Sequence, residues 1–266
     1  MTKIRRKLER WLGRRLATLL SEHVTRALVV ELCEHEPEHQ TAIGAVARYV
    51  KARATDLDRM EWDLPADSEL GFEQFAGLFS STTLDEAIIS MNVRQAAYLF
   101  GLVRRMDARK VIEIGRYKGG TTLLIAAAMR GRGRFWSIDL AGLDPHLRPR
   151  TLRPVETQIA DLCQRLGLTV ELIVGDSRTV EVDTGEVDLV LIDGDHSYEM
   201  ARNDFERFGR RVRVGGAVLF DDAFDDGVFH VIHTDGVGPV VREIIAAGDY
   251  RLVHIVKRLA HLERIR

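Results

Sequence analysis

The stretch "LIDGDHSYEMARNDFERFGRRVRVGGAVLFDD", residues 191–222, reads as the end of one strand, a helix, a turn and a second strand. Asp193 and Asp195 follow the first strand, and Asp221 and Asp222 follow the second. A helix that carries the chain between two parallel strands brings both acid clusters to the same edge of a sheet. Carboxylates repel one another and are costly to bury. The cluster is therefore either a set of solvated loop acids or a cation site between two neighbouring strand ends.

Working outward, the same alternation extends from about residue 83 to the end of the chain. "KVIEI" (110–114), "RFWSIDL" (134–140), "TVELIVGD" (169–176), "VDLVLIDGD" (187–195) and "GAVLFDD" (216–222) read as strands. Helical patterns separate them, "GPVVREIIAAG" reads as a late helix, and "YRLVHIVKRLAHLERIR" reads as a closing strand pair. Short β-rich runs alternating with helices predict an α/β fold with a mostly parallel, doubly wound, Rossmann-like sheet. Ligands of such sheets bind outside the carboxyl ends of the strands. Acids recur at those ends here, as Glu113, Asp139, Asp176, Asp193 and Asp221.

Residues 1–82 contain no convincing strand and predict an N-terminal helical extension, for oligomerisation or as a lid or substrate cover, ahead of a domain over 83–266. In "MTKIRRKLERWLGRRLATLL" the apolar residues recur at helical spacing, and the opposite face carries seven Lys and Arg against the single acid Glu9. Such a face suits an anionic membrane surface, but packing on its own domain or on a second subunit is the commoner use, and a homodimer is expected. The net charge of −2 gives no electrostatic ground for a nucleic-acid partner. Two cysteines, Cys33 and Cys163, do not make a disulfide framework. With no apolar run of about 20 residues and no signal-peptide pattern, a cytoplasmic location is expected.

After the first strand, the turn "EIGRYKGG" brings Gly115 and Gly119 to a helix N-terminus, where a ligand can approach the backbone. The spacing is not the G-x-G-x-x-G of dinucleotide binders, which leaves a nicotinamide oxidoreductase a poor reading. Asp139 stands where an acid accepts hydrogen bonds from ribose hydroxyls, and Asp176 with Ser177 stands where a base would lie. Each acid taken singly reads equally well as a solvated loop residue or a helix cap.

Taken in order, "VIEIGRYKGGTT", "FWSIDL", "IVGDS" and "VDLVLIDGDHSYEMARNDFERFGRRVRVGGAVLFDD" resemble the class I S-adenosylmethionine-dependent methyltransferases. The nearest-looking branches are the cation-dependent O-methyltransferases of the catechol type and the macrocin-type sugar O-methyltransferases. The resemblance covers about residues 87–266 and implies a seven-stranded sheet with a reversed last strand. It implies that Glu113, Gly115, Tyr117 and Gly119 shape the pocket for the methionine portion of S-adenosylmethionine. Asp139 would hold the ribose, Asp176 and Ser177 would lie near the adenine, and Asp193 would border the cofactor.

Asp193, Asp221 and Asp222, with no cysteine nearby, form a donor set suited to Mg²⁺, Mn²⁺ or Ca²⁺, and the resemblance points to the same trio. The catechol-type branch usually has Asp-Asn at the pair where this chain has Asp221-Asp222; an acidic pair is found in the macrocin-type branch. A cation chelated by two neighbouring hydroxyls would align an acceptor and lower its pKa. His196 is the candidate catalytic base, with Asp195 orienting it or a ligand. A helix-start role for His196, touching Tyr198, is the structural alternative.

The expected function is therefore methyl transfer to a hydroxyl, one of a vicinal pair, on a small sugar, polyketide or phenol, assisted by a divalent cation. Two rivals are a metal-independent methyltransferase with His196 as base and a non-catalytic binding or assembly protein that keeps the fold. "CEHEPEH" offers Cys33, His35 and His39, but Pro37 disturbs the helix that would align the histidines. His230 and His233 lie on a loop leaving the acid cluster, where an acceptor pocket would be lined.

Overall fold

The computed structural model describes residues 91–140, 155–224 and 234–266, with isolated positions between 71 and 89. The chain divides into two units, Met1–Ser90 and Met91–Arg266. In the first unit, Phe79 forms an isolated parallel bridge with Ile89, and the Phe72 and Phe79 rings lie 5.8 Å apart. The N-terminal stretch read as a basic helix, the "CEHEPEH" stretch, His230 and His233 lie outside the described residues.

The second unit runs α1 (Val93–Arg105), β1 (Lys110–Ile114), α2 (Gly120–Ala128), β2 (Arg134–Asp139), α3 (Val155–Arg165), β3 (Glu171–Val174), β4 (Val187–Ile192), α4 (Tyr198–Arg207), β5 (Val212–Phe220), α5 (Thr234–Ala247), β6 (Tyr250–Val256) and β7 (Leu259–Arg264). One seven-stranded sheet has the order β3-β2-β1-β4-β5-β7-β6. All ladders from β3 to β5 are parallel, and β7 runs antiparallel to both β5 and β6. This is the Rossmann-like α/β sheet that the strand and helix pattern predicts, with the reversed last strand that the family resemblance implies.

The central strands are buried on both faces, as parallel strands covered by helices must be. In β1 the pattern is four buried residues after one exposed, and β5 ends in five consecutive buried residues. Phe220 is fully buried at the end of β5, where it joins Phe205 and, through that ring, Tyr250. Burying such a side chain contributes roughly 2–3 kcal/mol. A one-residue slip would turn the whole apolar set of β5 to the other face, so packing fixes the register. In that register Ile114 pairs with Ile138 and Ile192, and Ile192 with Phe220. The residues that follow these strands therefore emerge side by side at one edge.

Several ends differ from the sequence expectation. β4 stops at Ile192 and β5 at Phe220, so Asp193, Asp221 and Asp222 stand on the turns just beyond. β5 begins at Val212 rather than 216, after a short 3-10 turn over Gly209–Arg211, with a register shift in its ladder to β4 between Val187 and Leu189. The glycines of "VGG" look like a loop but occupy an irregular strand start. α5 begins at Thr234, ahead of Pro239, which the helix holds inside it. A proline favours a first turn, which is why the sequence suggests a later start. No helix among the described residues is long and apolar enough to cross a membrane.

Candidate active site

The glycine turn after β1 is forced by backbone contact. Gly115 has φ +90°, and a Cβ there would stand 1.9 Å from the carbonyl oxygen of Asp193. Its N–H donates to Ile138 at 3.0 Å, and the Asp193 N–H donates to Ile114 at 2.8 Å, so the turn is stitched between β2 and β4. Asp139 Oδ2 accepts from the backbone N–H of Arg116 at 2.5 Å and of Tyr117 at 2.8 Å, which folds the turn back over the end of β2. Tyr117 adopts φ +50° with a 36% exposed side chain, and Gly119 is the left-handed N-cap of α2. Five expected cofactor residues, Glu113, Gly115, Tyr117, Gly119 and Asp139, thus meet around one turn.

Nothing in the sequence distinguishes Arg116 from any loop arginine. It is 2% exposed and its guanidinium lies under the turn. Nη1 donates to the Ser137 carbonyl at 2.6 Å, and Nη2 reaches Glu156 at 3.4 Å. A planar, multidentate donor can tie the turn to β2 and α3 at once.

Glu113 is fully buried, with Oε2 accepting from Ser137 at 2.5 Å and Thr122 at 2.6 Å. Among the described residues Oε1 has no hydrogen-bond partner. Burial raises its pKa from 4.5 to about 7, against the pull of those two hydroxyls and Arg116. A raised carboxyl pKa favours the fold below pH 4.5, and that contribution is lost as pH rises through about 7. A shift of this size corresponds to on the order of 3 kcal/mol. Glu113→Gln, which keeps an acceptor for Ser137 and Thr122, is expected to flatten this pH dependence. Urea melts from pH 5 to 8 check it; equal slopes in both proteins would refute it.

After β3, Asp176 is gripped by Arg178 through two nitrogens at 2.5–3.0 Å, and this pairing holds its carboxyl down to about 2. Ser177 is buried and hydrogen-bonds Asp204 of α4, an acid the sequence reading passed over. Asp204 is 1% exposed, and burial raises its pKa. It ties the β3 turn to α4 beneath Gly194.

The acid cluster forms as the pairing of β4 with β5 requires. His196 stands between its members, with Nε2 3.7 Å from Asp193 Oδ1 and Nδ1 3.4 Å from Asp222 Oδ2. The first distance is an ion-pair approach rather than a hydrogen bond. Burial works against a charge on His196, but Asp193, with Asp222 and Asp221 behind it, outweighs burial and raises its pKa above 6.5. Asp193 is raised by burial and by Asp222, against the pull of His196 and Arg258. Asp221 is pushed up to about 8 by burial and then by Asp193 and Asp222. Asp222 holds φ +51°, a left-handed conformation that aspartate tolerates better than most residues.

Two residues absent from the sequence reading complete the cluster. Gln95, in the first turn of α1, closes a capping box with Asn92 through Oε1 and donates from Nε2 to Asp221 Oδ1 at 2.5 Å. Arg258, between β6 and β7, places Nη1 2.6 Å from Asp222 Oδ1. Neither had a signal: Gln95 reads as a helix cap, and Arg258 is 36 residues along the chain from its partner.

Asp195 accepts from the Ser197 N–H at 2.8 Å, shaping the start of α4. Tyr198, the alternative neighbour of His196, donates instead to Glu243 at 2.8 Å. A Cβ on Gly236 would meet the His196 carbonyl at 2.1 Å, so α5 braces the histidine's backbone from outside.

Three carboxylates with oxygen donors are the right chemistry for a hard divalent ion, and their mutual repulsion is what such an ion relieves. Among the described residues, however, no group of three or more His, Cys, Asp or Glu side chains is closed into a metal-holding arrangement. His196 and Arg258 are the basic groups that stand against these acids. For the cofactor, Glu113 Oε1 is a buried acceptor with no hydrogen-bond partner among the described residues, which fits a polar ligand near the turn.

Residues 112–223 match a family model described as a methyltransferase domain. Among curated proteins, uncharacterized protein R132 of Acanthamoeba polyphaga mimivirus is 37% identical over 67 residues, 24% of this chain and 28% of that protein's length. The match thus covers well under two thirds of that relative. Among solved structures, an O-methyltransferase from Bacillus cereus in complex with S-adenosylhomocysteine superposes with a TM-score of 0.51 at 16% identity, covering 90% of this chain and 97% of that one. TomG from Streptomyces achromogenes, an O-methyltransferase involved in tomaymycin synthesis and bound to S-adenosylmethionine, superposes at 0.50 with 18% identity, over 67% of this chain and 82% of that one. At such identities the likeness concerns the fold. Residues 112–223 thus carry the match to a methyltransferase domain, and they lie within a seven-stranded sheet whose last strand is reversed.

Proposed function

We propose that this protein transfers the methyl group of S-adenosylmethionine to a hydroxyl of a small polyhydroxylated acceptor, with His196 as the base and a divalent cation at Asp193, Asp221 and Asp222. The observation that carries the reading is His196, held within 3.4–3.7 Å of two of three converging carboxylates. They stand just past the ends of β4 and β5, where the Asp193 carbonyl lies against the turn at Gly115. Methyl transfer from a sulfonium is an in-line displacement, so the acceptor oxygen must be aligned with the methyl carbon and lose its proton. His196 would take that proton, and the surrounding carboxylates favour the imidazolium that results. Gly115 lets the cofactor approach the backbone, Glu113 faces its polar end, and Asp139 stands at the level of the ribose. When bound, the cation would lower the acceptor hydroxyl's pKa and fix its orientation. Support for oxygen as the acceptor atom comes from the O-methyltransferases among the structural neighbours and from the oxygen-only donor set.

The test screens polyhydroxylated sugars, polyketides and phenols with S-adenosylmethionine and Mg²⁺, reading methylated product by mass spectrometry. Calorimetry is run alongside for cofactor binding. Product formation that stops on chelation and returns with Mg²⁺ is the expected result. Turnover unchanged by chelator and by Asp221→Asn with Asp222→Asn would remove the cation. No heat and no thermal protection with S-adenosylmethionine would remove the catalytic reading altogether.

A further inference from the structure

The turn between β6 and β7 is fastened to the acid cluster. The Ala223 N–H donates to the Arg258 carbonyl at 2.9 Å, so the tip of the hairpin is hydrogen-bonded to the residue that follows Asp222. Lys257, with φ +55°, makes the tight turn that swings the next side chain inward. The Arg258 guanidinium reaches Asp222 Oδ1 at 2.6 Å, with the two side chains 20% and 9% exposed. The approach lies outside hydrogen-bond geometry, since Asp222 Oδ1 counts no such bond among the described residues. It is therefore a charge contact without the directional bonds that make guanidinium–carboxylate pairs hard to separate. The positive charge also reaches Asp193 and Asp221. One side chain thus acts on all three carboxylates assigned to the cation.

We propose that Arg258 is a positioning residue that competes with the divalent cation for Asp222 and thereby sets the cation affinity of the site. The proposal rests on the reading of the acid trio as a cation site. An ion bound to Asp222 must turn the guanidinium away and restore its hydration; an ion-free protein keeps Asp222 paired instead of leaving a buried carboxylate unmatched. Groups next to metal ligands change affinity by about 10–100-fold when altered, and here the alteration removes a competitor, so affinity rises.

The experiment titrates Mn²⁺ into the full chain, read by electron paramagnetic resonance of the free ion, for the parent, Arg258→Gln and Arg258→Lys. Arg258→Gln is expected to bind Mn²⁺ about tenfold or more tighter than the parent. Arg258→Lys keeps the charge and is expected to stay nearer the parent. Melting temperature gives a second readout: Arg258→Gln is less stable than the parent in chelator and gains more from Mn²⁺. If Arg258→Gln does not fold in chelator, it is refolded with Mn²⁺ and rescue supports the proposal. Equal or weaker Mn²⁺ binding by Arg258→Gln, with the parent binding normally, overturns the competition and leaves the cation site standing. No Mn²⁺ binding by any of the proteins, with S-adenosylmethionine still binding, overturns the cation site and the competition together.

Discussion

Replacing His196 with alanine is expected to lower kcat by about 10²–10⁴-fold while leaving S-adenosylmethionine affinity within about threefold of the parent. The size follows from removing the one described imidazole between Asp193 and Asp222, the group proposed to accept a proton from a bound hydroxyl. The split between kcat and cofactor binding follows from position. His196 lies on the turn after β4 and its backbone is braced by Gly236, whereas the proposed cofactor turn after β1 is held by its own Arg116 and by Asp139 at the end of β2. Steady-state kinetics on the acceptor found by the screen, with calorimetry of the cofactor alone, separates the two quantities. A variant that keeps full kcat would remove His196 from the chemistry. A variant that loses cofactor affinity and kcat together would make it a structural residue.

Gly115→Ala is expected to damage both stability and cofactor binding. The added methyl would stand 1.9 Å from the Asp193 carbonyl oxygen and 2.8 Å from the Gly194 nitrogen, both backbone atoms that no rotamer change can move. At φ +90° the backbone is also strained for any residue with a Cβ. Left-handed strain of about 1–3 kcal/mol and overpacking of similar size together predict a loss of roughly 2–6 kcal/mol. Whatever relief the chain finds must separate β1 from the start of the acid turn, so S-adenosylmethionine affinity falls with stability. Urea unfolding and cofactor calorimetry on the same preparation check this. Unchanged affinity in a folded variant would show that the turn does not carry the cofactor.

Much of the candidate site was legible because it depends on position along single strands. An apolar run followed by an acid places that acid near a sheet edge: Asp139 closes β2, Asp176, Asp193 and Asp221 follow their strands, and Glu113 alone stays inside its strand, fully buried. The pairing of β4 with β5 was legible too, since a helix of about ten residues between two strands returns the chain to a parallel neighbour. Less legible was how each acid is used. Asp176 is committed to Arg178, and Asp195 to the Ser197 N–H that opens α4. Those partners are two residues away, but nothing in their spacing separates a cap from a ligand.

The sequence alone determined the α/β class, the sheet edge on which the acids collect and the glycine turn, because these follow from periodicity and from the backbone limits of particular residues. Only the tertiary structure decided what meets those acids. Gln95 comes from a helix 126 residues before Asp221, and Arg258 from a hairpin beyond α5. Arg258 arrives because β7 pairs with β5, and Gln95 because its helix packs against α2 and β6. Contacts across a sheet are set by strand order and register, and these are won by packing the whole apolar set at once. A local pattern can name a charged group, but its partner is chosen by the neighbours that folding supplies.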